Sequence, residues 1–314
     1  MVAKEIASIE SAARRSVCLT TRYDSGVTHP GKECAVAIEL TCTSFSFPLL
    51  SFETSLKAIA LLDIPRYDIG AHEGGSHIQP SEVEAQPGQV ADRIRRAGDA
   101  AGLTASDFFP TFGHGFRDRP VNTPDGAKAT ANVARFRAIV ACAKAVGARG
   151  ITLLPGVTWH DIGHERSFEL SARGLRTLVP IAQDAGLRLS IEAHLESVAD
   201  TPALAARLVD QVPGLGLTLD YSHFLAGGSD LAEIHRLVPL ARHFHARQAN
   251  PASLQAGSRD GTLNFTDIVG RLRASGYSGD VCVEYTWQDW RDCWHQDVVS
   301  ESILLRDILR RTLV

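Results

Sequence analysis

Four short apolar runs in this 314-residue chain each carry, at or near their end, a side chain able to ligate a metal or move a proton. Leu-Arg-Leu-Ser-Ile ends in Glu192, Leu-Gly-Leu-Thr-Leu in Asp220 and Val-Cys-Val in Glu284, while the run at 243–247 carries His243 and His245. Three carboxylates brought to one spot would repel strongly unless a cation neutralised them. Oxygen donors joined by one imidazole suit Mn²⁺, Mg²⁺ or Co²⁺ more than metals that prefer thiolate. The pattern points to a divalent-metal centre on Glu192, Asp220, His245 and Glu284. Alternate residues of a strand share a face, so His243 and His245 point the same way, and only the one nearer the carboxyl end reaches the ion. His243 is expected one layer below, as a hydrogen-bonded core histidine.

Other polar and aromatic residues follow the same kind of run. His223, three residues after Asp220 in Asp-Tyr-Ser-His, is placed in the loop and within reach of a substrate oxygen. His72 in Gly-Ala-His-Glu and His114 in Phe-Gly-His-Gly are candidates to line a ligand site or hold a second metal. Arg247, two residues after His245, is a further substrate-binding candidate. His194 and Glu196 alternate after Glu192 and are given a supporting role. Trp159, Trp287 and Trp290 offer planes that could stack on the C–H face of a sugar, Trp287 being the one assigned to substrate.

These groups converge only if the elements bearing them do. From about residue 35 the chain alternates short β-branched or aromatic runs with stretches of helical period. The runs are 34–47, 66–71, 107–112, 149–154, 187–193, 215–221, 243–247 and 280–286. The helical stretches are 51–62, 89–101, 128–146, 164–185, 202–212, 230–241, 265–274 and 297–313, and in the third of them Val133, Phe136, Ile139, Val140 and Ala143 form one apolar face. Gly147, Gly186 and Gly276 punctuate helix ends. Eight such units predict an α/β protein with a single closed (βα)8 barrel over residues 34–314, with residues 1–33 as an N-terminal extension. Barrel chemistry sits at the carboxyl ends of the strands, where the four candidate ligands fall. An open dinucleotide-binding sheet is disfavoured because no run leads into Gly-x-Gly-x-x-Gly.

Taken together, Glu192 in Ser-Ile-Glu-Ala-His, Asp220 in Leu-Asp-Tyr-Ser-His, His245 in His-Phe-His-Ala-Arg-Gln-Ala-Asn and Glu284 in Val-Glu-Tyr resemble the sugar isomerase/epimerase superfamily of xylose isomerase-like barrels. The likeness runs from about residue 35 to 313. It implies a metal, most often Mn²⁺ and with Zn²⁺ as an option, on those four residues. It also implies two glutamates that flank the substrate carbon and move its proton, and a sugar-binding role for His223, as in ketose 3-epimerases. Those enzymes carry a substrate-binding arginine a few residues after the strand-seven histidine, where this chain has Asn250-Pro251. The expected function is isomerisation or epimerisation of a keto-sugar or related polyol through an enediolate. The alternative is β-elimination by a dehydratase or lyase on a keto-sugar, inosose or oxidised glycoside. Endonuclease IV-like barrels share much of the ligand list, but the Asp-x-His pair they need after strand seven is absent from Ser258-Arg-Asp-Gly261. A barrel that binds sugar without turnover is a further alternative.

Composition agrees with a small-molecule enzyme. The chain is 44% hydrophobic and 22% charged with a formal net charge of -4, a globular composition, and it has no concentration of Lys and Arg for a nucleic acid. No apolar stretch approaches the roughly 20 residues that cross a bilayer, and residues 1–15 have no signal-peptide core, so a cytoplasmic location is expected. The six cysteines include no Cys-x-x-Cys pair and are expected as reduced core thiols. Self-association as a dimer or tetramer is expected as well.

Overall fold

A computed structural model describes residues 38–313. Eight strands close into a barrel: β1 (Leu40–Thr43), β2 (Arg66–Ala71), β3 (Thr104–Pro110), β4 (Gly150–Leu153), β5 (Arg188–Ile191), β6 (Leu215–Asp220), β7 (Ala241–Ala246) and β8 (Val281–Val283). Every neighbouring pair is parallel, and closure is made by β1 against β8, with Leu40 opposite Val281 and Cys42 opposite Val283. The helices are α1 (Phe52–Leu61), α2 (Pro80–Ala85), α3 (Pro87–Ala101), α4 (Gly126–Val146), α5 (His164–Asp184), α6 (Pro202–Gln211), α7 (Tyr221–Ala226), α8 (Leu231–His235), α9 (Phe265–Ala274) and α10 (Val298–Leu313). The predicted (βα)8 fold is therefore present. The proposed extension at 1–33, which includes Cys18, lies outside the described residues, as does Cys34 at the start of the first run.

Local chemistry explains where the helices start and stop. Ser51, Asp125, Thr201 and Asn264 cap α1, α4, α6 and α9 by accepting backbone N–H groups of the first turn. Gly147, which ends α4, has φ of 78°, a left-handed conformation that costs a residue with a Cβ about 1 kcal/mol or more. The apolar face expected on α4 is inward, with Phe136, Ile139 and Ala143 fully buried.

Several elements differ from the sequence reading. The described part of the run 34–47, from residue 38 on, forms a strand of four residues followed by one 3-10 turn, Ser44–Ser46, and β3 starts at Thr104 rather than at 107. An additional helix, α2, precedes α3, and each opens on a proline at its first turn, where the missing N–H is harmless. Asp-Tyr-Ser-His is not a loop: Asp220 caps α7 through Ser222 N–H at 2.8 Å, so His223 rides on a short helix. The stretch 230–241 divides into α8 and a 3-10 turn at Val238–Leu240. Among the described residues no helix is long and apolar enough to cross a membrane, and Cys42, Cys142, Cys282 and Cys293 are buried free thiols.

The barrel interior is unusually polar. Barrel cores are commonly filled by branched apolar side chains. Here Thr152 donates to Asp107 Oδ1 at 2.8 Å, Thr218 Oγ1 lies 2.6 Å from Thr152 Oγ1 and 2.8 Å from Ser190 Oγ, and Thr41 donates to Asp68 Oδ1 at 3.0 Å. All are buried, so each hydroxyl or carboxylate needs the partner it has. This layer forms the floor on which the candidate ligands stand.

Candidate metal and active site

Glu192 and Glu284 directly follow β5 and β8, Asp220 ends β6, and His245 is the penultimate residue of β7. Parallel closure brings them together. His245 Nδ1 lies 2.6 Å from Glu192 Oε1 and 3.2 Å from Glu284 Oε2. Asp220 faces the same space, 3.6 Å from His223 Nε2, which is itself 3.9 Å from Glu192 Oε2. Donor atoms within two overlapping groups, Glu192 with His245 and Glu284, and Glu192 with Asp220 and His223, lie within 4.8 Å of one another. All five residues are buried.

Electrostatics in this cage are severe. Burial and the neighbouring Glu284 push the Glu192 carboxyl up to about 7. Burial opposes a charge on His245, but Glu284 and Glu192 together hold it well above the ordinary imidazole range. His223 is driven the other way by burial and by Arg247. One acceptor is unmet: Glu284 Oε2 is buried with no hydrogen-bond partner. An orphaned carboxylate oxygen among further carboxylates and an imidazole is a donor set that fits a divalent cation.

Arg247 reaches the cage but is already engaged. Its Nε donates to Ser222 Oγ at 2.9 Å and its Nη2 to Asp220 Oδ2 at 2.8 Å, with His223 Nε2 at 2.9 Å and Glu284 Oε2 at 3.6 Å. Below the cage, His243 Nε2 lies 2.6 Å from Asp68 Oδ2, so His243 is the hydrogen-bonded core histidine expected. Asp68, His243, His245 and Cys282 also cluster. Asp68 is satisfied there by Thr41, His243 and the Asp107 N–H.

A cavity of about 270 Å³ opens above the cage. Glu192, Glu284, His223 and Arg247 form its polar floor, and Phe45, His72, Phe109, Phe116, Leu154 and Trp290 its walls. Phe116 packs 4.5 Å from the His194 ring and 5.4 Å from Trp290, and the Trp290 ring stands 5.8 Å from that of His223. An ion pair between Arg291 and Glu196 ties the segment bearing Trp290 to the loop after β5. His194 is poised toward the cavity: its Nδ1 donates to the Leu195 carbonyl at 2.6 Å, which leaves Nε2 as a buried acceptor without a partner.

Of the residues assigned to substrate, His72, His223 and Arg247 line this cavity, whereas His114 and Trp287 do not. His114 is exposed beside Gly74, and the wall after β3 is made by Phe116 instead. Trp287 is 42% exposed in a separate groove with Phe47, Leu49 and Val299, because the Gln255 side chain holds Thr286 N–H and the chain turns outward before folding Trp290 back. Trp159 hydrogen-bonds the Asn122 carbonyl and lies off the cavity. Asp68 and Asp107 beneath the cage, and Phe45, Phe109 and Phe116 on the cavity wall, are parts of the site that the candidate motifs do not contain. The available signal was a lone acid inside an apolar run, as in Arg-Tyr-Asp-Ile and Ser-Asp-Phe-Phe.

A closed parallel barrel whose mouth gathers carboxylates and histidines around an aromatic-walled cavity defines the class of (βα)8 proteins with a polar site at the strand ends. Residues 70–306 match the xylose isomerase-like TIM barrel family, and the chain belongs to it. No curated protein sequence matches this chain. Its fold is similar to that of a D-psicose 3-epimerase with D-tagatose from Clostridium cellulolyticum H10, at 15% identity and TM-score 0.70, covering 88% of this chain and 99% of that one. It is also similar to the probable 3-DHS dehydratase of petrobactin synthesis from Bacillus anthracis, at 14% identity and TM-score 0.62, covering 86% and 99%. A third likeness is to a xylose isomerase-like TIM barrel protein from Mycobacterium smegmatis in complex with magnesium, at 15% identity and TM-score 0.64, covering 89% and 98%.

Proposed function

We propose that this chain is a divalent-metal-dependent enzyme that moves a proton on the carbon next to the carbonyl of a keto-sugar or related polyol, giving epimerisation or isomerisation. The observation that carries the reading is the meeting of Glu192 and Glu284 at His245 Nδ1, at 2.6 and 3.2 Å, with both glutamates lining a cavity. A divalent ion held by Glu192, Asp220, His245 and Glu284, with Mn²⁺ favoured, would polarise the carbonyl and stabilise the enediolate charge. Proton transfer belongs to the glutamates. Burial and Glu284 raise the metal-free Glu192 carboxyl to about 7, and that dry surrounding would offset the loss of basicity that coordination to the ion brings. Glu284, with one oxygen unpartnered, is the complementary base on the other side of the substrate carbon.

The surrounding residues bind and dry the substrate. His223 and the acceptor Nε2 of His194 would take sugar hydroxyls, and Phe116, Phe109 and Trp290 would cover its C–H faces and exclude water. Glu73 also lines the cavity but is paired with Arg135 at 2.7 Å, and Arg247 is held by Asp220, so among the described residues no free cation on the wall calls for a phosphate.

β-Elimination is the second reading, favoured by the shared fold of the dehydratase from Bacillus anthracis. It begins with the same proton abstraction and differs in the fate of the enolate. The test is incubation of the full chain with MnCl₂ and a panel of ketoses, 3-keto-glycosides and inososes in deuterated water. Deuterium at the carbon next to the carbonyl is expected, with loss of water or aglycone marking elimination. Absence of exchange with every member of the panel would overturn both readings.

A further inference from the structure

Arg247 stands out within the cage. Its side chain is 3% exposed and projects from just beyond β7 into the space between Asp220, His223 and Glu284. A guanidinium there does what an incoming cation would do: it sets a positive charge against carboxylates that otherwise repel one another. It does so incompletely. Nη2 bonds Asp220 Oδ2 at 2.8 Å but stops 3.6 Å from Glu284 Oε2, which is left without a hydrogen bond.

The fit to His223 is worse. Arginine can only donate, so Nη2 presents an N–H to His223 Nε2 at 2.9 Å. The Leu195 backbone N–H points at Nδ1 of the same ring, 3.3 Å away. A neutral imidazole carries one N–H and offers one acceptor, so it cannot accept at both nitrogens. A protonated ring would donate at both nitrogens and accept at neither. One of the two contacts is therefore always a clash of donors, and withdrawal of the guanidinium relieves it.

Resting on the metal reading above, we infer that Arg247 is a built-in counter-ion which occupies the Asp220–Glu284 side of the cage and competes with the divalent cation for it. Loading the metal then requires the guanidinium to withdraw from Asp220, and the chain binds divalent ions more weakly than the bare donor set would. Ser222, through its bond to Nε at 2.9 Å, helps hold the arginine in the occupying position. Arg247 is in this account a positioning and charge-balancing residue.

Titration of MnCl₂ into the metal-stripped full-length protein, followed calorimetrically and by the electron paramagnetic resonance of free Mn²⁺, tests this. Removing one like charge next to a divalent ion in a buried site should tighten binding, so Arg247→Gln is expected to bind Mn²⁺ at least about tenfold more tightly than wild type. Arg247→Lys keeps the charge and should stay within about threefold. Ser222→Ala leaves the charge but loosens its tether and should tighten binding by about threefold, which provides the answer if Arg247→Gln does not fold. Thermal melts of the stripped proteins establish folding. Unchanged or weaker Mn²⁺ binding in folded Arg247→Gln, with Ser222→Ala unchanged, would overturn the inference while leaving the metal site standing. Absence of Mn²⁺ binding in wild type and all three variants would instead bring down the metal reading and this inference with it.

Discussion

Glu192 and Glu284 share one imidazole, and replacing either by glutamine keeps the shape while removing the proton-transfer group. Glu284→Gln and Glu192→Gln are each expected to lower deuterium exchange about 10²- to 10⁴-fold, read as isotope incorporation per unit time with the protein still folded by circular dichroism. Exchange within a few fold of wild type in both would mean that neither carboxylate moves the proton. His72 offers a different readout. Burial, reinforced by His77, pushes its ring down to about 4 in the folded protein, against 6.5 for a free imidazole. The unfolded chain therefore binds the proton first: stability is complete above about pH 6.5, falls as the pH drops, and levels off near pH 4. With part of the ring facing the cavity, the contribution is roughly 2 kcal/mol. His72→Leu should accordingly lose about that much less stability than wild type between pH 6.5 and 4 in urea titrations. Parallel curves for the two proteins would contradict this account.

The helices around the barrel meet it through specific close approaches. A Cβ on Gly174, within α5, would stand 2.4 Å from the Val121 backbone carbonyl, which cannot swing aside as a flexible side chain would. Alanine is the better helix former by about 1 kcal/mol. Here overpacking should win, and Gly174→Ala is expected to destabilise by roughly 1–3 kcal/mol. Gly270, exposed in α9 with nothing near its missing Cβ, should show the opposite sign, a gain of about 0.5–1 kcal/mol from alanine. Equal melting temperatures for the two variants would refute the argument. Elements of this kind were legible in the sequence because burial and period coincide: Phe136, Ile139 and Ala143 are apolar at helical spacing and all face inward. Strand-end acids were legible for the same reason, since a parallel barrel must gather them. The short helix carrying His223 was missed because six residues are too few to show a period, although Asp220 two residues before Ser222 was an available cap signal. Arg247 lines the cavity as a substrate-binding candidate, and its engagement by Asp220 depends on cross-strand geometry that spacing along one run does not encode.

At the scale of the whole barrel, polar groups run from one end to the other, and the two ends do different work. At the amino-terminal end Asp280, just before β8, accepts from Arg149 Nη1 at 2.6 Å and Ser106 Oγ at 2.5 Å, and Arg66 Nε lies 3.1 Å away. Both arginines also meet Glu39, before β1, at 2.9 and 3.1 Å. One network thus ties the starts of β1, β2, β4 and β8 and joins β3, the strands that must stay in register for the barrel to close. The Asp280 side chain is fully buried, so its removal would leave Arg66, only 11% exposed, with the half-exposed Glu39 and the Ala105 carbonyl but without its buried carboxylate. Breaking a buried ion pair by deleting one member costs about 3–5 kcal/mol, and the partial exposure of Arg149 places Asp280→Ala near the low end, at about 3 kcal/mol. Glu284 is four residues further along, about 13 Å at the rise of a strand. The same variant should therefore keep wild-type Mn²⁺ affinity and deuterium exchange at temperatures where it remains folded. A lower urea midpoint with an intact site would separate closure of the barrel from the chemistry at its mouth. An unchanged midpoint, or a lost site in folded protein, would show that the two ends are not independent in this way.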